Sequence, residues 1–274
     1  MSGFGKTGFG STPPVVKNLI IINVIMLVAA WGLERSLGID LNRYLGLFYF
    51  ESEYFKPYQI VTHMFMHGGL THLFFNMFAL WMFGRILEQV WGAKRFLIYY
   101  FVTGLGAAAL HTFVNYIQIS NIQSAATAML NTPSPEAFAS FVTKYFPEYY
   151  SLIYDKVLGA WFSNPDSSQL IMDAENYTRQ LIEVQMNIPT VGASGAVYGV
   201  LLAFGMLFPN TIIMLLIPPI PIKAKWLVII YGGLELWLGL TQPGSNVAHF
   251  AHLGGMIFGF FLIRYWNKRK DMFY

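Results

Sequence analysis

Runs of apolar residues long enough to fill a lipid bilayer constrain this chain more than any other feature. Crossing the hydrocarbon core takes about 20 residues of α-helix. Only a helix or a closed barrel satisfies every backbone N–H and C=O there without water. Six runs stand out: Val15 to Leu33, Leu70 to Phe83 (extending to about Val90), Phe96 to Ile117, Val191 to Phe208, Trp226 to Leu240 and Val247 to Ile263. Several are shorter than a full span, and short spans thin the bilayer or hold water within a bundle. The 274 residues are 55% hydrophobic and 11% charged, against roughly 25% charged in a soluble domain. The expected fold is therefore all-α, a polytopic membrane protein with a six-helix bundle over residues 15–266. The third and fourth spans are separated by a large segment, 118–189, expected outside the bilayer. Short tails at 1–14 and 267–274 complete the chain. The Gly-rich start, MSGFGKTGFGSTPP, lacks an apolar core and a small-residue cleavage site, so no cleavable signal is expected and the first run stays as an anchor. With no cysteine there is neither a disulfide nor a thiolate metal site. The stretch TIIMLLIPPIPIKAKW is apolar, but Pro218, Pro219 and Pro221 remove backbone donors, and it reads as an interfacial loop.

Charge sets the expected orientation. Lys6 and Lys17, then Arg85, Lys94 and Arg95 with Glu88, then Lys223 and Lys225, then Arg264, Lys268, Arg269 and Lys270 with Asp271 all fall on one side of a six-span arrangement. The other side holds Glu136, Glu148, Asp155, Asp166, Asp173, Glu175 and Glu183. Lysine and arginine favour the cytoplasm. Both termini are thus expected to be cytoplasmic, in a plasma membrane of the bacterial inner-membrane type, with the lipid bilayer as constant partner and no nucleic acid. Within 118–189, Ser134-Pro135-Glu136 and Asn164-Pro165-Asp166 each pair a cap residue with a proline and predict helix starts. Phe138, Phe141, Val142 and Tyr145 recur at helical spacing, as do Leu170, Ala174, Tyr177 and Leu181. The segment returns at Pro189, five residues before Ser194, and reads either as a solvated decoration or as a lid that selects substrates.

Polar side chains are expensive inside a bilayer and tend to mark function. Three clusters fall at the outer ends of their spans. His63, His67, His72 and Asn76 lie within fourteen residues, and His72 and Asn76 share a helix face. Ser194 sits between Ala193 and Gly195, after Gly192, at the start of the fourth run. His249 and His252 begin the sixth, followed by Gly255 and Gly259. Each has an ordinary reading: a polar helix mouth, an N-cap serine, small residues that let helices touch. Jointly they supply a nucleophile (Ser194), a base that returns its proton to a leaving amine (His252) and donors for an oxyanion (His72, Asn76 and the Ser194 N–H). Gly195-x-x-x-Gly199 and Gly255-x-x-x-Gly259 allow the fourth and sixth spans to approach closely enough for a Ser–His hydrogen bond.

At these residues the chain resembles the rhomboid family of intramembrane serine proteases. His72-x-x-x-Asn76, Gly192-x-Ser194-Gly195 and Ala251-His252-x-Gly254-Gly255 occur in the family's order, and Glu88, Gly92 and Arg95 are similar to its Glu-x-x-x-Gly-x-x-Arg. The resemblance covers the six spans, less the large outer segment. It implies a six-helix rhomboid-like bundle and a Ser194–His252 dyad with an oxyanion site of His72, Asn76 and Ser194. Tyr198 falls where the family often packs a tyrosine on the catalytic histidine. Gly192, Gly195, His67 and His249 are read as accessory. Substrates would be single-span membrane proteins cut in or near the membrane, with no cofactor and no metal. Tyr58 and Gln59 depart from the Trp-Arg that many members carry, and segment 118–189 is longer than in well-known members. Two alternatives stand beside this reading. One is a catalytically silent rhomboid-like chaperone or adaptor, although such proteins typically lose the serine or histidine. The other is a His-metal hydrolase using His63-x-x-x-His67 or His249-x-x-His252, although no HExxH occurs. Glu235, the one carboxylate well inside a span, reads as a structural hydrogen-bonding residue; His111 is assigned no role.

Overall fold

The computed structural model describes residues 12–215, 219–242 and 247–268. Most of the two expected tails, Pro218 and the charges Lys6, Arg269, Lys270 and Asp271 lie outside them. Eight principal helices are α1 (Pro14–Leu37), α2 (Leu70–Trp91), α3 (Ala93–Asn131), α4 (Pro135–Tyr145), α5 (Ser168–Met186), α6 (Ser194–Leu207), α7 (Ala224–Thr241) and α8 (His249–Lys268). Among the described residues, α1, α2, α3 and α7 are long and apolar enough to cross a membrane. Helix α6 is apolar but has 14 residues, about 21 Å of helix. The chain divides into two compact units, one of Met1–Leu47, Lys56–Thr112 and Pro189–Tyr274, the other of Phe48–Phe55 and Phe113–Ile188.

The first unit is held together by small residues and by buried polar fasteners. Helix α1 begins with Pro14 at its first turn and no side-chain cap of its own. Its free N–H groups are instead taken by Glu88 near the end of α2: Val15 N donates to Oε1 at 2.9 Å and Val16 N to Oε2 at 2.8 Å. Both carboxylate oxygens thus cap a helix whose N-terminus carries partial positive charge. Arg85 and Glu88 read as loop charges from sequence, but both belong to the last turns of α2, and Glu88 is buried. Nearby, Arg95 lies over the Trp266 ring at 4.6 Å, which ties the start of α3 to the end of α8. Within the interfacial loop expected after α6, Ile212–Met214 pairs antiparallel with Pro221–Lys223. Pro221 sits at the first position of its strand, where a missing donor is tolerated.

The second unit has a core of its own. Ser134 caps α4 as its spacing predicts, its Oγ accepting from Ala137 N at 3.1 Å. The second predicted start is corrected. Asn164 closes the preceding short helix, its N–H donating to Ala160 O at 3.1 Å, and Ser167 caps α5 instead. The third helix also runs on to Asn131 rather than ending near Ile117; residues 118–131 contain no glycine or proline to stop it. The two amphipathic faces cover each other: Phe138, Phe141 and Val142 join Trp161, Ala174 and Leu181 in one cluster.

Replacing Glu88 tests the shared cap. Glu88→Ala leaves one buried and one part-buried N–H group unpaired and is expected to lower stability by about 2 kcal/mol, read as a lower unfolding midpoint in micelles. Glu88→Gln, which keeps one acceptor oxygen, should lose less. Equal midpoints for all three proteins would show that the cap contributes nothing.

Candidate active site

Ser194 is the first residue of α6, and Ala193 rather than Ser194 occupies the cap position. The N-cap reading of the serine therefore does not describe it. Its Oγ instead shares a hydrogen bond with His252 Nε2 at 2.8 Å. The turn before α6 is held by Gly192, whose N–H donates to His63 O at 2.9 Å. Gly192 has φ 128°, a region side-chain-bearing residues avoid. A Cβ there would stand 2.8 Å from His72 Cε1 and 2.9 Å from its Nε2, so the His72 ring edge lies directly against the serine's turn.

The approach of α6 to α8 is backbone on backbone. A Cβ on Gly255 would fall 1.8 Å from the carbonyl oxygen of Gly195. His252 is one turn earlier on α8, opposite Ser194. The expected pairing of glycines across the two helices holds only in part. Gly199 packs on Thr103 and Gly259 on Tyr99, both of α3, so the small-residue stripes serve two interfaces.

Around His252 the remaining residues converge. Tyr198 stacks on its ring, centroids 4.2 Å apart and 5° from parallel. Glu235 of α7, which reads from sequence as a structural hydrogen-bonding residue, makes those bonds beside His252. Its Oε2 lies 3.0 Å from His252 Nδ1 and 2.6 Å from His249 Nδ1, and Tyr198 Oη donates to its Oε1. The His252 contact is close, but the ring N–H is not aligned on the oxygen. The clue in the sequence was its isolation: a lone carboxylate in an apolar span needs a partner, and two histidines on a neighbouring span are the natural ones.

The histidines with ligand-like spacing part company. His63 Nδ1 bonds Gln59 O at 2.9 Å. His67 is buried and meets the His72 ring edge-on at 5.0 Å. Asn76 Nδ2 donates to His72 O at 3.0 Å, and Gly68 N to His72 Nδ1 at 3.4 Å. Gln59, at the position that departs from the family, is fully buried and donates to Tyr44 O at 3.1 Å. Thr62 Oγ1 likewise donates to Leu45 O at 2.7 Å, fastening the segment that leads into α2. Beside Ser194 is a cavity of about 20 Å³ lined by His63, Gly104, Ala107, Thr190 and Gly192, room for about one water.

Among the described residues, Glu235, His249 and His252 form the trio with potential ligand atoms within 4.8 Å of one another. Two ligands of a tetrahedral zinc ion at about 2.0–2.1 Å stand roughly 3.3 Å apart. A separation of 2.6 Å between His249 Nδ1 and Glu235 Oε2 is a hydrogen-bond length. The trio has the spacing of a proton-sharing network.

The family model described as Rhomboid domain matches residues 54–131 and 150–269. The chain is 26% identical over 284 aligned residues to an uncharacterized mitochondrial rhomboid protein of Schizosaccharomyces pombe, covering 96% of this chain and 68% of that one. It is 25% identical over 246 residues to Rhomboid protein 1, mitochondrial, of Saccharomyces cerevisiae, covering 89% of this chain and 51% of the relative. A 60-residue stretch, 22% of this chain, is 37% identical to Rhomboid protease GluP of Bacillus subtilis and covers 12% of that protein.

The glycine contact carries a prediction. In Gly255→Ala the two helices must part by about 1.5 Å to restore van der Waals contact. Misplacement on that scale is expected to slow the reaction of Ser194 with a fluorophosphonate by about 10²-fold. Gly233→Ala, where an added Cβ meets nothing within 4 Å, should label like the wild type. Equal labelling of both variants would detach the glycine contact from the serine.

Proposed function

The chain belongs to the rhomboid family, and from that premise we propose that it is an intramembrane serine endopeptidase acting on single-span membrane proteins in or near their transmembrane segments. The observation that carries this reading is the 2.8 Å hydrogen bond from Ser194 Oγ to His252 Nε2 at the start of a helix. Ser194 Oγ attacks the scissile carbonyl while its proton passes to His252 Nε2. The oxygen of the tetrahedral intermediate is stabilised by the Ser194 N–H, at the positive end of α6, and by His72 and Asn76. Collapse expels the amine, which takes the proton from His252. Water then attacks the acyl-enzyme by the same route in reverse, and the cavity beside Ser194 has room for it. No cofactor and no metal enters these steps.

All six of α1, α2, α3, α6, α7 and α8 are taken as membrane crossings. The proposed setting is a plasma membrane of the bacterial inner-membrane type, with both ends cytoplasmic and residues 118–189 outside. The distribution of lysine and arginine supports the orientation and the compartment. The mitochondrial relatives mark the alternative. In this reading 118–189 selects substrates by their outer segments.

Ser194→Ala and His252→Ala are each expected to abolish cleavage of a single-span substrate by protein that is still folded and inserted. His72→Ala should reduce the rate by about 10²–10³-fold. Cleavage by Ser194→Ala above background would overturn the assignment, and a silent adaptor would show no Ser194-dependent cleavage in the wild type. Chelators should leave the rate unchanged. For orientation, the absence of cysteine allows single probes. In intact bacterial cells, Asp166→Cys should react with an impermeant maleimide and Asn267→Cys should not; the reverse pattern would invert the topology.

A further inference from the structure

Glu235 is the one carboxylate beside the serine–histidine pair among the described residues, and the proposed steps leave it unused. It is buried on α7: Tyr198 Oη donates to its Oε1 and His249 Nδ1 to its Oε2, while His252 Nδ1 stands 3.0 Å from that same Oε2 with its N–H turned off the oxygen. A carboxylate that receives two donors and faces a third ring nitrogen in a low-dielectric site is held as an acceptor. An acceptor facing His252 Nδ1 keeps the ring proton on that nitrogen. Nε2 is then the bare nitrogen, and Nε2 is the atom that meets Ser194 Oγ at 2.8 Å. Without Glu235 either tautomer is available, and the one protonated on Nε2 cannot take the serine's proton.

We propose that Glu235 is a positioning residue for His252, which sets its tautomer and balances the imidazolium that forms during acyl transfer, and that His249 competes for the same carboxylate oxygen and so weakens this hold. The inference rests on the reading of Ser194 as nucleophile and His252 as base. In each half-reaction the proton travels between Ser194 Oγ or water and the leaving group by way of His252 Nε2. Glu235 gains no proton; its negative charge stays beside Nδ1–H while the ring is cationic. His249 holds the shorter contact, 2.6 Å against 3.0 Å. Its own Nε2 is buried with no hydrogen-bond partner among the described residues, so Glu235 is what anchors that ring. The titratable groups facing His252 are Glu235 from α7, Tyr198 from α6, His72 from α2, His111 from α3 and His249 on its own helix. Glu235 is the only carboxylate in that set.

The test is the pH profile of Ser194 acylation by a fluorophosphonate, with cleavage of a single-span substrate measured in parallel. Glu235→Gln presents an amide that can donate to Nδ1 and favour the wrong tautomer. It should lower kcat by about 10²–10⁴-fold with KM little changed. The acid limb reports the proton that must leave His252. Removing a negative neighbour moves that limb to lower pH. His249→Leu frees the carboxylate for His252 and should move the limb to higher pH. Glu235→Asp should recover part of the rate lost in Glu235→Gln. Opposite shifts in the two variants support the inference, because loss of packing alone would not reverse sign. Rates within about twofold of wild type and unmoved limbs would overturn it, as would shifts in the same direction. If Glu235→Gln does not fold, Glu235→Asp and His249→Leu carry the test: a lower rate for the first with a raised limb for the second supports it, and wild-type behaviour in both overturns it. Failure of the wild type to label at Ser194 is a different result, which overturns the protease reading itself.

Discussion

The contact on which the rest of the site depends is between two main chains, where α8 passes Gly195 so closely that Gly255 has no room for a side chain. In water, helices are pressed together by the expulsion of solvent from apolar faces. Lipid tails offer no such drive, so packing distance itself has to supply the attraction. Small residues do this by letting backbones touch. The same contact decides the chemistry, because Ser194 opens α6 immediately before Gly195 and His252 lies one turn before Gly255. The 2.8 Å between Oγ and Nε2 is a consequence of helix geometry, and neither side chain has to reach.

A second theme is the use of buried polar groups as fasteners. Gln59, Glu88, His63 and Glu235 are all nearly inaccessible. Each is engaged: Gln59 with Tyr44 O, Glu88 with two N–H groups of α1, His63 with Gln59 O and Glu235 with a tyrosine and two histidines. An unpaired polar group at such depth costs far more than a pairing gains. Satisfied groups of this kind therefore select one arrangement of helices over its neighbours more than they add net stability. Glu235 links α7 to α8 and α6 in this way.

How much of this could be read in advance follows from the range of the forces involved. Helix positions are local, and the six apolar runs anticipate α1, α2, α3, α6, α7 and α8 to within a few residues at most ends. The end of α3 escaped because hydropathy falls at Ile117 while helix-forming residues continue to Asn131; a polarity boundary and a helix boundary are different things. The start of α5 escaped for a related reason, since Asn164-Pro165 and Ser167 both carry start signals and only the close of the previous helix chooses between them. The pairing of Ser194 with His252 was legible because glycines on both runs advertise a close approach. Glu235 was not. Its partners lie 14 and 17 residues away on another helix, and nothing in a one-dimensional pattern says which face of α7 turns toward them. The second unit was legible as two amphipathic faces, but nothing in the pattern says that one face covers the other.

The shared cap at Glu88 also has a meaning in time. Helix α1 is made before α2, yet the groups that finish its N-terminus lie 72 and 73 residues further along the chain. As the ribosome extends the polypeptide, the N–H groups of Val15 and Val16 have only water to bond until Glu88 has been added. The N-terminal cap of the first span is therefore completed only once the end of the second has been made.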